Sequence, residues 1–347
     1  MSSISVKNVY KNFGPSEQVL TDMNIEIEDG SFTVLLGPSG CGKSTLLRLI
    51  AGLDKPSAGK ILRDGVDITD AEPKDRKLAM VFQNYALYPH MTVYQNVEYG
   101  LKIAKIPNEE RKKLVFDALE MVELTDQMKK LPAQMSGGQR QRAALARAIV
   151  KKPSVFLMDE PLSNLDAKLR VQMRDSISDL YRRIGTTFLY VTHDQVEAMS
   201  MGTKIAILNQ GNIMQEGTPK EIYTNPQNLF VAGFIGSPPC NIIDLKIGSA
   251  AIRCENILTG GQAEGITIRA AVQSVEQLGQ DSVYALRTPA GILRVKAPCT
   301  WEQYPGEMEI TLPVDQIQFF DEKGDRTSCN EQWVARLSEV LGAKDGQ

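Results

Sequence analysis

The chain has 347 residues, which at about 150 residues per domain argues for two domains. A formal net charge of -3 leaves no basic excess to draw in nucleic acid, so a DNA- or RNA-coating role is disfavoured. Hydrophobic residues at 42% and charged residues at 23% suit a globular chain with a buried core, and no apolar run approaches the ~18 residues of a membrane helix.

Residues 1–11 lack an apolar signal region, so secretion is not expected. Phe32–Leu36 is a short apolar run ended by glycine, as for a buried strand. Lys43–Ala51 is rich in helix formers, and Gly52 sits where a helix should stop. Residues 108–130 are charged and helical in pattern. Val155-Phe156-Leu157-Met158 and Phe188-Leu189-Tyr190-Val191 are two more continuous apolar runs. Such strands, separated by helices, predict a mostly parallel sheet covered on both faces. The runs at 204–208 and 213–215 flank Asn209-Gln210-Gly211-Asn212 and read as a hairpin. Thr218-Pro219-Lys220-Glu221 is a helix start with proline at the first position.

Near Gly236-Ser237-Pro238-Pro239 the texture changes to short strand-like runs at 265–270, 282–287, 292–296 and 308–312. Glycine and proline punctuate them, which predicts a small β-barrel-like domain. Trp333, Leu337 and Leu341 recur at i, i+4 and i+8, predicting a short amphipathic helix. Five cysteines (41, 240, 254, 299 and 329) form no C-x-x-C spacing, which fits a reducing compartment. Two histidines, His90 and His193, are too few for a histidine-rich metal centre.

Gly37-Pro38-Ser39-Gly40-Cys41-Gly42-Lys43-Ser44-Thr45 follows a predicted strand and opens a predicted helix. That is the setting of a phosphate-binding loop, whose glycines let backbone N–H groups wrap a polyphosphate. Lys43 is placed to reach the β- and γ-phosphates, and the Ser44 hydroxyl suits Mg²⁺. Cys41 is read as a small structural residue. The strand at 155–158 delivers Asp159 and Glu160 at its C-terminal end, where open α/β sheets bind ligands. Asp159 is expected to hold the Mg²⁺ shell and Glu160 to polarise the attacking water. Ser136-Gly137-Gly138-Gln139 opens another helix and forms a second anion-binding feature. Taken alone it reads as a glycine turn before a helix; beside the phosphate loop, and because one nucleotide needs one cradle in cis, it suggests a nucleotide gripped from two sides.

In order and spacing, the phosphate loop, Met135 to Gln139, Asp159-Glu160 and His193 resemble an ABC-transporter ATPase cassette. The resemblance implies that Phe13 stacks on adenine and that Gln83 joins the Mg²⁺ site to a membrane partner. It also implies that Ser163-Asn164-Leu165-Asp166 crosses a dimer interface, with Asp166 acting in trans, and that His193 senses the γ-phosphate. Met135 stands where leucine is usual. Tyr85-Ala86-Leu87-Tyr88-Pro89-His90-Met91-Thr92, Asp166-Ala167-Lys168-Leu169-Arg170 and residues 230–238 resemble the carbohydrate-importer ATPases, relatives of the maltose, multiple-sugar and glycerol-3-phosphate systems, with import of glycerol-3-phosphate or polyamines as the alternative. Exporters usually carry an acidic, glycine-containing segment before the signature, which Lys130-Leu131-Pro132-Ala133-Gln134 is not.

What this implies is an α/β P-loop ATPase domain over 1–236, with a helical subdomain at about 88–153. A small β-rich accessory domain follows over 237–326, then a tail over 327–347. The cofactors would be ATP and Mg²⁺. The partners would be a second copy, permease subunits docking between Gln83 and Met91, and indirectly an extracytoplasmic solute-binding protein, with no nucleic acid. The expected location is the cytoplasmic face of the membrane. The Gly-Ile-Arg-Pro-Glu segment usual in the accessory domain is absent. Leu258-Thr259-Gly260-Gly261-Gln262 mimics the signature but precedes a β-pattern, so it reads as a turn. Arg140 and Arg142 read as a solvated helix face. A soluble ABC ATPase working on ribosomes or DNA, and a small-molecule kinase, are the competing classes. The first usually fuses two cassettes, and the second has no use for residues 136–139 or 163–166.

Overall fold

The computed structural model describes residues 2–14, 17–260, 264–299 and 306–343. The chain divides into two compact units, Met1–Pro219 and Lys220–Gln347.

The first unit opens with two long antiparallel strands, β1 (Ile4–Gly14) and β2 (Glu17–Ile27). Their alternation buries Ile4, Val6, Ile25 and Ile27 on one face. Next come the fully buried β3 (Phe32–Leu36) and α1 (Lys43–Ala51), which stops at left-handed Gly52. β4 (Ala58–Arg63) and β5 (Val66–Asp67) complete a sheet of order β2-β1-β4-β5. β6 (Leu78–Val81), β7 (Val155–Asp159), β8 (Thr187–Thr192), β9 (Lys204–Asn209) and β10 (Asn212–Gly217) join β3 in a second sheet. Its order is β10-β9-β3-β8-β7-β6, parallel except for the β9–β10 hairpin. Leu46, Leu47, Leu49 and Ile50 of α1 share one core cluster with both sheets, each buried side chain contributing roughly 1.5–3 kcal/mol. The opposite face of the second sheet stacks Phe32, Phe156 and Phe188.

Between β6 and β7 lie α2 (Val93–Ile103), α3 (Asn108–Met121) and α4 (Gly137–Ile149), which pack on one another. Ala143, Ala144, Ala146 and Ala148 are buried on α4 and permit close approach. α5 (Ala167–Ile184) follows β7, and α6 (Gln195–Met201) follows β8. Arg76, 1% exposed, donates from its guanidinium to the carbonyls of Leu49, Ile50, Thr69 and Ala71. It thereby serves the Ile50 carbonyl in the last turn of α1 and adds a second donor to the Leu49 carbonyl, which also accepts from Gly52 N–H.

α7 (Pro219–Thr224) and α8 (Leu229–Phe234) lead into the second unit. There β11 (Asn241–Asp244) and β12 (Ser249–Ile252) precede β13 (Leu258–Thr259), β14 (Ile266–Gln277), β15 (Asp281–Thr288), β16 (Gly291–Pro298) and β17 (Glu307–Leu312). β18 (Gln318–Phe320), β19 (Arg326–Thr327) and α9 (Glu331–Leu341) follow. They form two antiparallel sheets, β11-β12-β18-β19 and β13-β17-β14-β15-β16. Leu337 and Leu341 of α9 enter their shared core, with Trp333 against Phe319. The division by contacts falls before the boundary expected at 236/237, because Ala232 of α8 clusters with Ala251 and Phe320 of the second unit. Of the signature mimic, Leu258-Thr259 pairs with β17 and Gly260 N–H donates to Glu309. Its Gly261 and Gln262 lie outside the described residues.

Candidate functional site

Three strands of the parallel sheet end on one side: β3 in the loop before α1, β7 in Asp159-Glu160, and β8 in Thr192-His193. An added Cβ on Gly37 would lie 2.2 Å from the Leu208 carbonyl oxygen, so only glycine fits between loop and sheet. Gly40 and Gly42 have φ of 80° and 104°, the left-handed region that side chains disfavour. Gly42 also caps α1 without a side chain, so the N-cap offers no acceptor to the N–H groups of the first turn. That leaves them for an anion, which fits a phosphate. Lys43 is 4% exposed, and its Nζ donates to the carbonyls of Gly37 (2.9 Å) and Pro38 (2.8 Å). Cys41 is buried, with Sγ 3.8 Å from Lys43 Nζ.

Ser44 Oγ donates to Asp159 Oδ1 at 2.7 Å. Burial pushes the Asp159 carboxyl above its usual range, and the Glu160 charge adds to this, while the Ser44 bond works against it. A cation here would relieve that cost, and a hydroxyl beside a carboxylate is the donor set of Mg²⁺. Glu160 is left-handed, with φ of 41°, and its N–H donates to Val191 O at 3.0 Å. Its Oε2 stands 3.1 Å from His193 Nδ1. Ser163 Oγ donates to the Glu160 carbonyl and lies 3.2 Å from Gln83 Nε2, and Asn164 Nδ2 donates to the Gln83 carbonyl. The structure therefore joins Gln83, Ser163, Glu160 and His193 by direct bonds, and Ser44 to Asp159.

The other predicted residues sit apart from this set. Ser136 is the N-cap of α4 in a reciprocal box with Gln139. Gly137 and Gly138 pack so tightly that an added Cβ would approach Leu165 to 3.0 Å and Leu169 to 2.8 Å. No hydrogen bond joins residues 136–139 to Lys43 or Ser44 among the described residues. Asp166 caps α5 by accepting from Leu169 N–H. Phe13 is 56% exposed, with Lys11 Nζ 4.7 Å over its ring. His90 is exposed, 6.3 Å from the Tyr88 ring. Arg140 and Arg142 are not simply solvated, since Arg140 donates to Met135 O and Arg142 pairs with Glu123.

One network has no counterpart in the sequence reading. Glu197, 3% exposed, accepts from the Tyr190 and Thr192 hydroxyls, and Asp194 pairs with Arg170. It backs the turn that carries His193. The spacing Asp194-x-x-Glu197 at a helix start was its signal, but Glu197 turns inward to the hydroxyls rather than back to the cap.

A family model described as ABC transporter matches residues 20–163. An sn-glycerol-3-phosphate import ATP-binding protein of Bordetella avium is 45% identical over 329 residues, covering 87% of this chain and 90% of that one. The chain belongs to the ABC transporter ATPase family. A second protein of the same description, from Psychromonas ingrahamii, is 54% identical over 71% of this chain, a match that spans 66% of that protein. A trehalose/maltose import ATP-binding protein of Thermococcus litoralis is 54% identical over 70% of this chain and 67% of its own length. Among solved structures, a dimeric ATP-binding cassette, MJ0796, bound to ADP and Pi matches with a TM-score of 0.56 at 35% identity. It covers 62% of this chain and 98% of its own. The first unit is thus an ABC cassette, and the family match includes the loop 37–45. No described helix is long and apolar enough to cross a membrane.

Proposed function

We propose that this chain is the ATP-hydrolysing subunit of an ABC importer for carbohydrates or a related polar solute, working as a dimer with two composite ATP sites. The observation that carries it is the bonded set at the strand ends, Ser44 with Asp159 and Glu160 with His193, beside a helix start that lacks a side-chain cap. The import names of the relatives support the transport role, and their split between glycerol-3-phosphate and trehalose/maltose leaves the solute class broad.

The residues then divide the work. Lys43 exchanges its two loop carbonyls for the β- and γ-phosphates, and Phe13 offers its exposed face to adenine. Mg²⁺, when bound, neutralises phosphate charge, and Ser44, Asp159 and Gln83 are the residues to hold it. Glu160 takes the proton of the attacking water, and His193, 3.1 Å away, keeps that carboxylate oriented. Ser136, Gly137, Gly138, Gln139 and Asp166 of a second copy close over the nucleotide, and exclusion of water strengthens the contacts. Between the second sheet and the helical subdomain runs a groove of about 1130 Å³, lined by Leu53, Met80, Phe82, Leu101, Ile103 and Ile106 among others. It lies next to Gln83 and is where a permease helix is proposed to dock. The solute itself need not touch this chain.

Mixing two damaged chains tests the composite site. Lys43→Ala should weaken nucleotide binding by one chain through loss of a charge-assisted contact. Ser136→Arg should leave that binding intact and block closure. Their mixture contains dimers with one intact site, so partial recovery of ATPase is expected. Loss of nucleotide binding by the Ser136→Arg monomer would remove the trans role.

A further inference from the structure

The segment after Gln83 has a backbone that its side chains do not explain. Tyr85 and Ala86 are both left-handed, with φ of 63° and 48°, a conformation that L-residues with a Cβ disfavour and rarely adopt in succession. The Tyr85 side chain is buried, yet its hydroxyl has no hydrogen-bond partner among the described residues. What grips the segment is main-chain bonding from the helical subdomain. Arg147, in the last turn of α4, donates from Nη1 to Ala86 O at 2.5 Å and from Nη2 to Tyr85 O at 2.9 Å. Asn96 of α2, fully buried, accepts from Tyr88 N–H and donates to the carbonyls of Tyr88, Met91 and Thr92.

Arg147 shares a rigid rod with Ser136. The two lie eleven residues apart, or about 16 Å along the helix at 1.5 Å per residue. At its other end the segment is tied to the catalytic side, through the Gln83 carbonyl to Asn164 and the Gln83 amide to Ser163. Residues 83–88 thus bridge the loop behind Glu160 and the helix that begins at the signature.

We propose that Arg147 is a positioning residue that fixes residues 85–86 to the signature helix, so that movement of Ser136 is delivered to the segment beside the permease groove. This rests on the importer reading. A guanidinium suits the task because its planar fork serves two successive carbonyls at once, which an ammonium does less well. Burial lowers the pKa of Arg147, as expected for a cation held by carbonyls in place of water.

The test uses the full chain with Arg147→Met and Arg147→Lys. Amide hydrogen exchange should rise by about tenfold or more at residues 84–88 in Arg147→Met, with α4 and the phosphate loop unchanged. Arg147→Lys should give an intermediate rise, and it also serves if the Met variant does not fold. Affinity for a fluorescent ATP analogue should stay within about twofold of wild type, since Arg147 is outside the phosphate loop. Reconstituted with integral membrane proteins that co-purify with the tagged wild-type chain, Arg147→Met should keep basal ATPase and lose most stimulation by those proteins. Unchanged exchange at 84–88, or an equal rise throughout α4, would overturn the strap. A local rise with normal stimulation would overturn its role in transmission. If wild type itself responds to no membrane subunit, the importer reading fails, while the exchange result still decides whether the strap exists.

Discussion

At the scale of single residues, two carboxylates near the same strand ends have different work to do. Glu160 is partly exposed and bonded to His193, so Glu160→Gln keeps the size and an acceptor for the ring. Its expected effect is a fall in hydrolysis of about 10²-fold or more, the general-base scale, with ATP affinity retained. The trapped nucleotide should hold a dimer on size-exclusion chromatography, and near-normal turnover would remove Glu160 from its role. Glu197 is buried, and desolvation pushes its carboxyl above the usual carboxylate range despite the bonds from Thr192 and Tyr190. With a folded pKa above the unfolded one, its contribution to stability is fully present below the unfolded value and is lost as pH rises through the folded one. Wild type should therefore gain stability relative to Glu197→Gln as pH falls from neutral into the carboxylate range, read from urea midpoints. A flat difference would mean that Glu197 does not titrate in that range. Glu197→Leu should cost about 1–3 kcal/mol for the buried Tyr190 hydroxyl left without its acceptor, while the Thr192 hydroxyl keeps the Asp194 N–H.

At the scale of elements, two glycines carry different obstacles. Gly37→Ala meets the Leu208 carbonyl at 2.2 Å, in a strand that cannot yield without breaking the sheet. Gly138→Ala meets the end of the Leu169 side chain at 2.8 Å, which can rotate away. Gly37→Ala should abolish nucleotide binding. Gly138→Ala should fold with a loss of about 1–3 kcal/mol or less and bind nucleotide as a single chain. Equal damage in thermal unfolding and nucleotide titration would contradict the contrast. β3, β7 and β8 were legible because strands buried on both faces read as unbroken apolar runs, and α9 because Trp333, Leu337 and Leu341 keep a helical period. β1 and β2 were not read as a sheet. Their pairing shifts register repeatedly, and left-handed Asn8 and Asp22 interrupt the alternation. Arg147, Asn96 and Arg76 escaped for a shared reason. Polar residues in sequence look solvated, and only the fold shows that backbone carbonyls have replaced water.

At the scale of the whole chain, the question is what the second unit adds to ATP turnover. The proposed ATP-site residues all lie within Met1–Pro219, a unit with its own core. A cut near Ser237, as the Pro238-Pro239 pair invites, would leave α8 attached and bare Ala232, which clusters with Cys240, Ala251 and Phe320 in the intact chain. A fragment ending at Pro219 avoids that face and should bind Mg-ATP and stay monodisperse, whereas one ending at Ser237 should associate through α8. If the second unit holds two cassettes together between cycles, it raises the local concentration of one for the other, and closure becomes nearly intramolecular. The 1–219 fragment should then match full-length specific ATPase activity at high protein concentration and fall behind on dilution, while the full chain holds steady over the same range. Equal activity of the two across the whole dilution series would show that the second unit is no clamp, leaving regulation or partner docking as its work.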